Sequence, residues 1–212
     1  MCCRYFMELS PELRPYVEAV SKSSLASKMV AILGKSLITT GEVFPSNIAP
    51  VIAPDKSGKQ TVFPMVWGFN IKGINHPIVN ARSETAPVKQ SFKDAWISRR
   101  CIIPASWYYE WEHIPISDGK YKTGTRYAIQ PAGYNITYLA GLYNIEEYRG
   151  LHYPVFTILT KEPSDSVRKL HDRMPVILPE HLISDWIYPD NKADDIIPAA
   201  LNDMIVEIYQ GL

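Results

Sequence analysis

Four residues of this chain have types and settings suited to capturing a carbonyl: Cys2, Asn80, Glu110 and His171. Cys2 follows the initiator Met1, and its small side chain favours removal of that methionine. The mature chain would then begin with a cysteine whose α-amine and thiol sit on adjacent carbons. Their reference pKa values are about 7.7–8.0 and about 8.5, so each keeps a nucleophilic fraction near neutral pH. Such a 1,2-aminothiol captures an aldehyde as an imine and closes a five-membered thiazolidine ring. The plain alternative for Cys2 is a small buried apolar residue.

Glu110 stands among Trp107, Tyr108, Tyr109 and Trp111. A carboxyl walled by aromatic rings loses hydration, which raises its pKa and suits it to general acid–base work. His171-Asp172-Arg173 sits where a short helix gives way to the apolar run Met174–Leu178, and a histidine at such a junction titrates near neutrality. Asn80-Ala81-Arg82-Ser83-Glu84-Thr85 follows an apolar stretch directly. Each has a structural alternative: an outward strand position for Glu110, a satisfied core histidine for His171, a turn for Asn80, a surface charge for Arg82.

The elements that must position these groups are readable in outline. Residues 2–7 read as a strand, and Ser10-Pro11 as the start of a helix. A second helix spans about Ser23–Leu33 and stops at Gly34. Asp55-Lys56-Ser57-Gly58 is a hairpin turn before Thr61-Val62-Phe63, and Met65–Phe69 is a further strand. Pro87 opens a helix in which Val88, Phe92 and Trp96 share a face, closed by Arg99-Arg100. Strands follow at Cys101–Ile103 and Ser106–Trp111, then a polar, glycine-containing excursion over residues 113–125. Tyr127–Ile129, Tyr138–Tyr143 and Val155–Thr160 alternate as an antiparallel meander. Met174–Leu178 is the expected final strand, with a helix from Pro179 and an acidic tail. No linker or repeat divides the chain, so one compact α+β domain over residues 1–212 is expected.

Composition narrows the function classes. With 46% hydrophobic and 21% charged residues, the 212-residue chain resembles ordinary globular proteins. Three cysteines without a Cys-x-x-Cys pair argue against a disulfide framework and a cysteine zinc site, and no metal or other cofactor is expected. The absence of a long apolar run and of a signal-like amino terminus predicts a cytoplasmic protein with no membrane association. Net charge is zero, yet residues 1–110 carry 13 basic against 8 acidic side chains, so a polyanion would meet that half more readily.

Together these segments resemble the SRAP (SOS response-associated peptidase-like) family. The resemblance rests on Met1-Cys2-Cys3-Arg4-Tyr5, Met65-Val66-Trp67-Gly68, Asn80–Thr85, Arg100–Ala105 with the aromatic run to Glu110-Trp111, and His171–Leu178, in the family's order. It implies a mixed, mostly antiparallel barrel-like sheet with peripheral helices. It also implies a DNA-damage role: binding of single-stranded DNA and a covalent crosslink to abasic sites through the amino-terminal cysteine. Position by position, Cys2 would be the nucleophile with Asn80, Glu110 and His171 as companions. Arg4, Arg82 and Arg173 match arginines near DNA phosphates, Thr160 a further polar site position, and Trp67 a motif lining the DNA site, where its ring would offer a face to unpaired bases. Two positions depart from the family: Cys3 replaces a usual glycine, and Val66 stands where a basic residue is common. A cysteine peptidase or amidase using Cys2, with hydrolase or lyase-like activity, and a non-catalytic nucleic-acid module are the other readings. A monomer is expected.

Overall fold

The computed structural model describes residues 3–117 and 120–211. Strand β1 (Tyr5–Met7) is buried at all three positions. Helix α1 (Arg14–Ser21) starts at Arg14 rather than at Pro11, because Ser10 Oγ accepts the Leu13 amide at 3.3 Å and residues 11–13 form a turn. Helix α2 (Ser24–Leu33) has the expected ends: Ser23 accepts from the Ala26 amide, and Gly34 takes the left-handed conformation at φ 64°. Strands β2 (Gly41–Val43), β3 (Ile48–Pro54) and β4 (Gln60–Trp67) follow. The β3–β4 turn is closed by the Asp55 carboxylate, which accepts from the Ser57 and Lys59 amides.

After β5 (Asn80–Arg82), helix α3 covers only Lys93–Ser98. Phe92 and Trp96 are buried as expected, but Val88 is 79% exposed, so the apolar stripe spans one turn and residues 83–92 form turns instead. Arg100 does not end that helix at the surface. It is buried at the start of β6 (Arg100–Ala105) and donates to the carbonyls of Trp186, Tyr188 and Asn191. The excursion at 113–125 is an antiparallel arm: β7 (Trp107–Pro115) pairs with β8 (Tyr121–Pro131) out to Pro115–Tyr121. The chain continues through β9 (Thr137–Tyr148), β10 (Leu151–Lys161), α4 (Asp165–Arg168) and a short β11 (Met174–Pro175). Helices α5 (Ile183–Ile187) and α6 (Ala193–Ile196) precede β12 (Met204–Ile208), an edge strand hidden in the acidic tail.

The strands form two sheets. One has the order β12-β8-β7-β1-β2. In the other, β10, β4, β3, β6 and β9 follow one another, and β9 pairs back to β10, which closes a five-stranded barrel. All its pairings are antiparallel except β4 with β10. Closure removes the free edges that an open sheet of this apolarity would expose. Beyond the barrel, β10 also carries β5 in parallel and β11 antiparallel.

Alternation along each barrel strand serves two cores. On β3, Ala49, Val51 and Ala53 pack with Tyr5, Tyr108 and Ile129 of the five-stranded sheet. Ile48 and Ile52 face the other way, toward Met29, Trp96 and Trp186 from the helices. The sheet-side core therefore fixes β7 against the barrel, and β7 carries Glu110.

Candidate active site

Inward-facing positions of β7 place Glu110 beneath the surface. Tyr108 and Glu110 are 0% and 3% exposed and alternate with Tyr109 and Trp111, whose rings pack on each other over the sheet's outer side. Burial pushes the Glu110 carboxyl above the ordinary carboxylate range, and the nearby Asp172 charge adds to the shift. The outward alternative for Glu110 is thereby excluded.

His171 reaches the same point from the loop after α4. Its Nε2 lies 3.9 Å from Glu110 Oε1, and its side chain is nearly buried. Burial lowers its pKa to about 4, against a supporting pull from Asp172, so the ring is neutral at physiological pH. Its Nδ1 lies 2.8 Å from Asp172 Oδ1 and 3.0 Å from the Arg173 backbone N–H. One nitrogen cannot donate to the first and accept from the second at once. The Arg173 amide has its proton aimed at Nδ1, so the tautomer that accepts there leaves Nε2–H facing Glu110; the other leaves a bare Nε2. Either way the pair combines a carboxyl disposed to hold a proton with a neutral imidazole, the two halves of an acid–base couple.

Cys2 lies outside the described residues. The described chain begins next to it, at Cys3, which is a free, exposed thiol. Partial desolvation by the surrounding protein and the Glu110 charge nevertheless raise its pKa, so Cys3 lies within electrostatic reach of the acid. The Arg4 carbonyl accepts the amide of Tyr109, the residue before Glu110. Asn80 and Arg82 lie on the same side of β5, with Ala81 turned into the core between them. Asn80 is half-buried, whereas Arg82 is exposed. Arg4 is half-exposed, pairs with Glu42 at 3.6 Å and stacks over Phe44 and Trp111.

Three residues expected at the DNA are held within the fold in this structure. Trp67 is fully buried: its ring packs between Tyr5 and Phe156, and its Nε1 donates to the Val79 carbonyl at 3.0 Å. No face is left for a base. The following Gly68 is structural too, because its φ of 120° and the Pro77 side chain 2.5 Å from an added Cβ leave no room for another residue. Thr160 is fully buried, and its carbonyl receives Arg173 Nη2 at 2.7 Å. Arg173, 9% exposed, spends the rest of its fork on both oxygens of Glu84, at 2.9 and 2.7 Å. It braces the turn after β5 against β10 instead of presenting itself to a phosphate. Val66 also faces the core, so a basic side chain there would not point at a ligand.

An open cleft of about 780 Å³ runs past His171. Its lining adds residues that the sequence did not single out: His113 and Tyr121 from the β7–β8 arm, and Arg168 and Lys169 at the end of α4. The His113 ring is 4.9 Å from the His171 ring. Among the described residues no group of three or more His, Cys, Asp or Glu is arranged to hold a metal ion, and no helix is long and apolar enough to cross a membrane.

Comparison with known proteins matches this arrangement to one group. The family model described as SOS response associated peptidase (SRAP) matches residues 1–209. The abasic site processing protein YoaM of Bacillus subtilis is 34% identical over 188 residues, covering 80% of this chain and 79% of that protein. YoqW, of the same name and organism, is 34% identical over 175 residues, with coverage of 76% and 75%. The abasic site processing protein YedK of Escherichia coli is 25% identical over 146 residues, covering 66% and 63%. Crystal structures from Bacteroides thetaiotaomicron and Bordetella bronchiseptica share the fold, with TM-scores of 0.72 and 0.70 at 20% and 22% identity. Each covers 99% of this chain, over 93% and 100% of the respective structure. The chain belongs to the SRAP family.

Proposed function

We propose that this protein processes abasic sites in single-stranded DNA by crosslinking to them through Cys2, once Met1 has been removed. The observation that carries the reading is the buried Glu110 facing a neutral His171, with Cys3 within electrostatic reach of the acid. The relatives named abasic site processing proteins support the substrate class.

The residues fit the chemistry step by step. An abasic deoxyribose is mostly a cyclic hemiacetal, so a proton must reach the ring oxygen while the anomeric hydroxyl loses one. Glu110, whose burial makes it hold a proton more readily than a solvated carboxyl, donates to the ring oxygen, and the His171 tautomer with its proton toward Asp172 accepts the hydroxyl proton at Nε2. The C–O bond of the ring breaks and C1′ becomes an aldehyde. The free Cys2 amine attacks C1′, and loss of one water gives the imine. The Cys2 thiol then adds across the C=N bond, its proton passing to nitrogen, and the thiazolidine closes. Asn80 orients the sugar or the amine. Arg82 and Arg4 contribute phosphate contacts that position the strand without reading its sequence.

Denaturing electrophoresis tests this. Met1-processed protein mixed with abasic single-stranded DNA should give a band that survives denaturation and disappears in Cys2→Ala. Processed protein that forms no such band contradicts the proposal. A thiol peptidase is the second reading, favoured by a neutral imidazole able to activate a thiol and by the family's description. Turnover of a peptide panel that is lost in Cys2→Ser would support it.

A further inference from the structure

The β7–β8 arm brings a line of rings out of the cleft. His113 lies 4.9 Å from His171 at an interplanar angle of 60°, and Tyr121 lies 5.7 Å from His113 at 39°. The line thus runs from the ring facing Glu110 to a tyrosine that is 61% exposed. The register places His113 opposite Thr123 and Pro115 opposite Tyr121, so both rings are held by the paired backbone of a hairpin. An aromatic ring left this open at the lip of a cleft is poorly used by the fold itself, since neither core includes it.

The rest of the lining is cationic on balance. Arg82, Arg168, Lys169 and Arg173 stand against Glu162 and Asp172, and Glu84 neutralises Arg173 from outside the cleft. Arg168 keeps an exposed head: it donates to the Pro163 carbonyl at 3.2 Å and pairs with Asp165 at 3.7 Å, and both side chains of the pair are highly exposed. Lys169 makes no ion pair among the described residues. Exposed rings that meet a cationic wall make the arrangement by which proteins hold single strands, with bases stacked and phosphates paired.

We propose that Tyr121 and His113 form a stacking platform for the nucleobase next to the abasic sugar, while Arg82, Arg168 and Lys169 take the adjoining phosphates. This rests on the reading that an abasic strand occupies the cleft at Glu110. The lesion offers no base of its own to stack, so the protein engages it through its neighbour. Purine neighbours, with the larger π-face, bind more tightly than pyrimidines, and runs of consecutive abasic sites bind poorly.

The test is a double-mutant cycle on strands carrying tetrahydrofuran, a stable abasic analogue that binds reversibly. Each neighbouring adenine is replaced in turn by a second tetrahydrofuran, and affinity is read by fluorescence anisotropy for wild type, Tyr121→Ala and Tyr121→Phe. In the wild type, loss of one of the two neighbours should weaken binding by about tenfold or more. In Tyr121→Ala that penalty should vanish, and Tyr121→Phe should restore it. A neighbour effect of equal size in wild type and Tyr121→Ala, or none on either side, overturns the platform. Adduct formation on a true abasic strand is run in parallel. Adduct with a null cycle removes the platform and leaves the crosslinking reading standing; no adduct from processed wild type removes both.

Discussion

Glu110 and Glu84 sit at the same end of the molecule and are set in opposite directions. Glu110 is buried, faces a neutral imidazole, and is pushed above the usual carboxylate range by desolvation. Glu84 is about half exposed; partial burial pushes it up, but the hydrogen bonds and charge of Arg173 outweigh this and hold it below that range. The Arg173 guanidinium is spent on Glu84 and on the Thr160 carbonyl. One carboxylate is a permanent brace. The other remains able to carry and release a proton. That division, more than the presence of either acid, suits the Glu110–His171 pair to the proposed opening of a hemiacetal.

Replacing each acid separates the two roles most sharply. Glu110→Gln should slow adduct formation by about 10²–10⁴-fold, the range of a lost general acid–base, as measured by single-turnover kinetics on abasic strands. Its stability should escape the loss that the wild type suffers as pH rises above the ordinary carboxyl pKa of 4.5. A raised folded pKa gives stability that is fully present below the ordinary carboxyl pKa and is lost as pH rises through the raised value. Wild type therefore loses ground to Glu110→Gln as pH rises from 4.5 through the raised value, and urea titrations at stepped pH will read it. Arg173→Ala, by contrast, should cost about 1–3 kcal/mol of unfolding free energy, since it removes the charge-assisted bonds to Glu84 and to the Thr160 carbonyl, which keeps only the Ser83 amide. Arg173→Lys should recover little of that, because a lysine cannot reproduce the fork.

Weaker effects come from the rim and from pH. Arg82→Ala should leave stability unchanged, weaken binding to intact single strands, and reduce the salt dependence of affinity by about 0.7 in log–log slope. In acid, the lowered pKa values of His171 and Glu84 act together. Each gives stability that is present above its unfolded value and lost as pH falls through its folded value. For His171 that window runs from 6.5 down to about 4. Denaturation midpoints should decline across it, and His171→Gln should flatten the decline; an unchanged slope would show that the ring is not buried in its neutral form.

The contrast between the two acids was only half legible in the sequence. Glu110 announced itself because three aromatic residues before it and one after leave a carboxylate little water, and β-alternation then turned it inward. Its counterpart was invisible, since the Arg173–Glu84 pair joins positions 89 residues apart and no local pattern encodes it. Trp67, Thr160 and Arg173 fall in strong motifs, but a motif records that a residue is needed and not whether it touches a ligand or holds a strand. The helix α2 ends were clear from Ser23 and Gly34. The barrel-like sheet, which the structure bears out, was legible only through the family resemblance, because its closure depends on a parallel pairing of β4 with β10 far apart in the chain. The β7–β8 arm was missed for a simpler reason. Its outer residues are exposed on both faces, so no alternation marks them as strands, and His113 and Tyr121 were hidden with them.

The central claim is that Cys2, freed at the amino terminus, captures the sugar aldehyde that Glu110 and His171 release. Intact-mass spectrometry of the protein after incubation with an abasic single strand tests it most directly. The account predicts a species equal to the protein without Met1 plus the strand minus one water, present in Cys3→Ala and absent in Cys2→Ala. A protein confirmed to lack Met1 that stays at its unmodified mass would contradict it, as would an adduct that persists in Cys2→Ala.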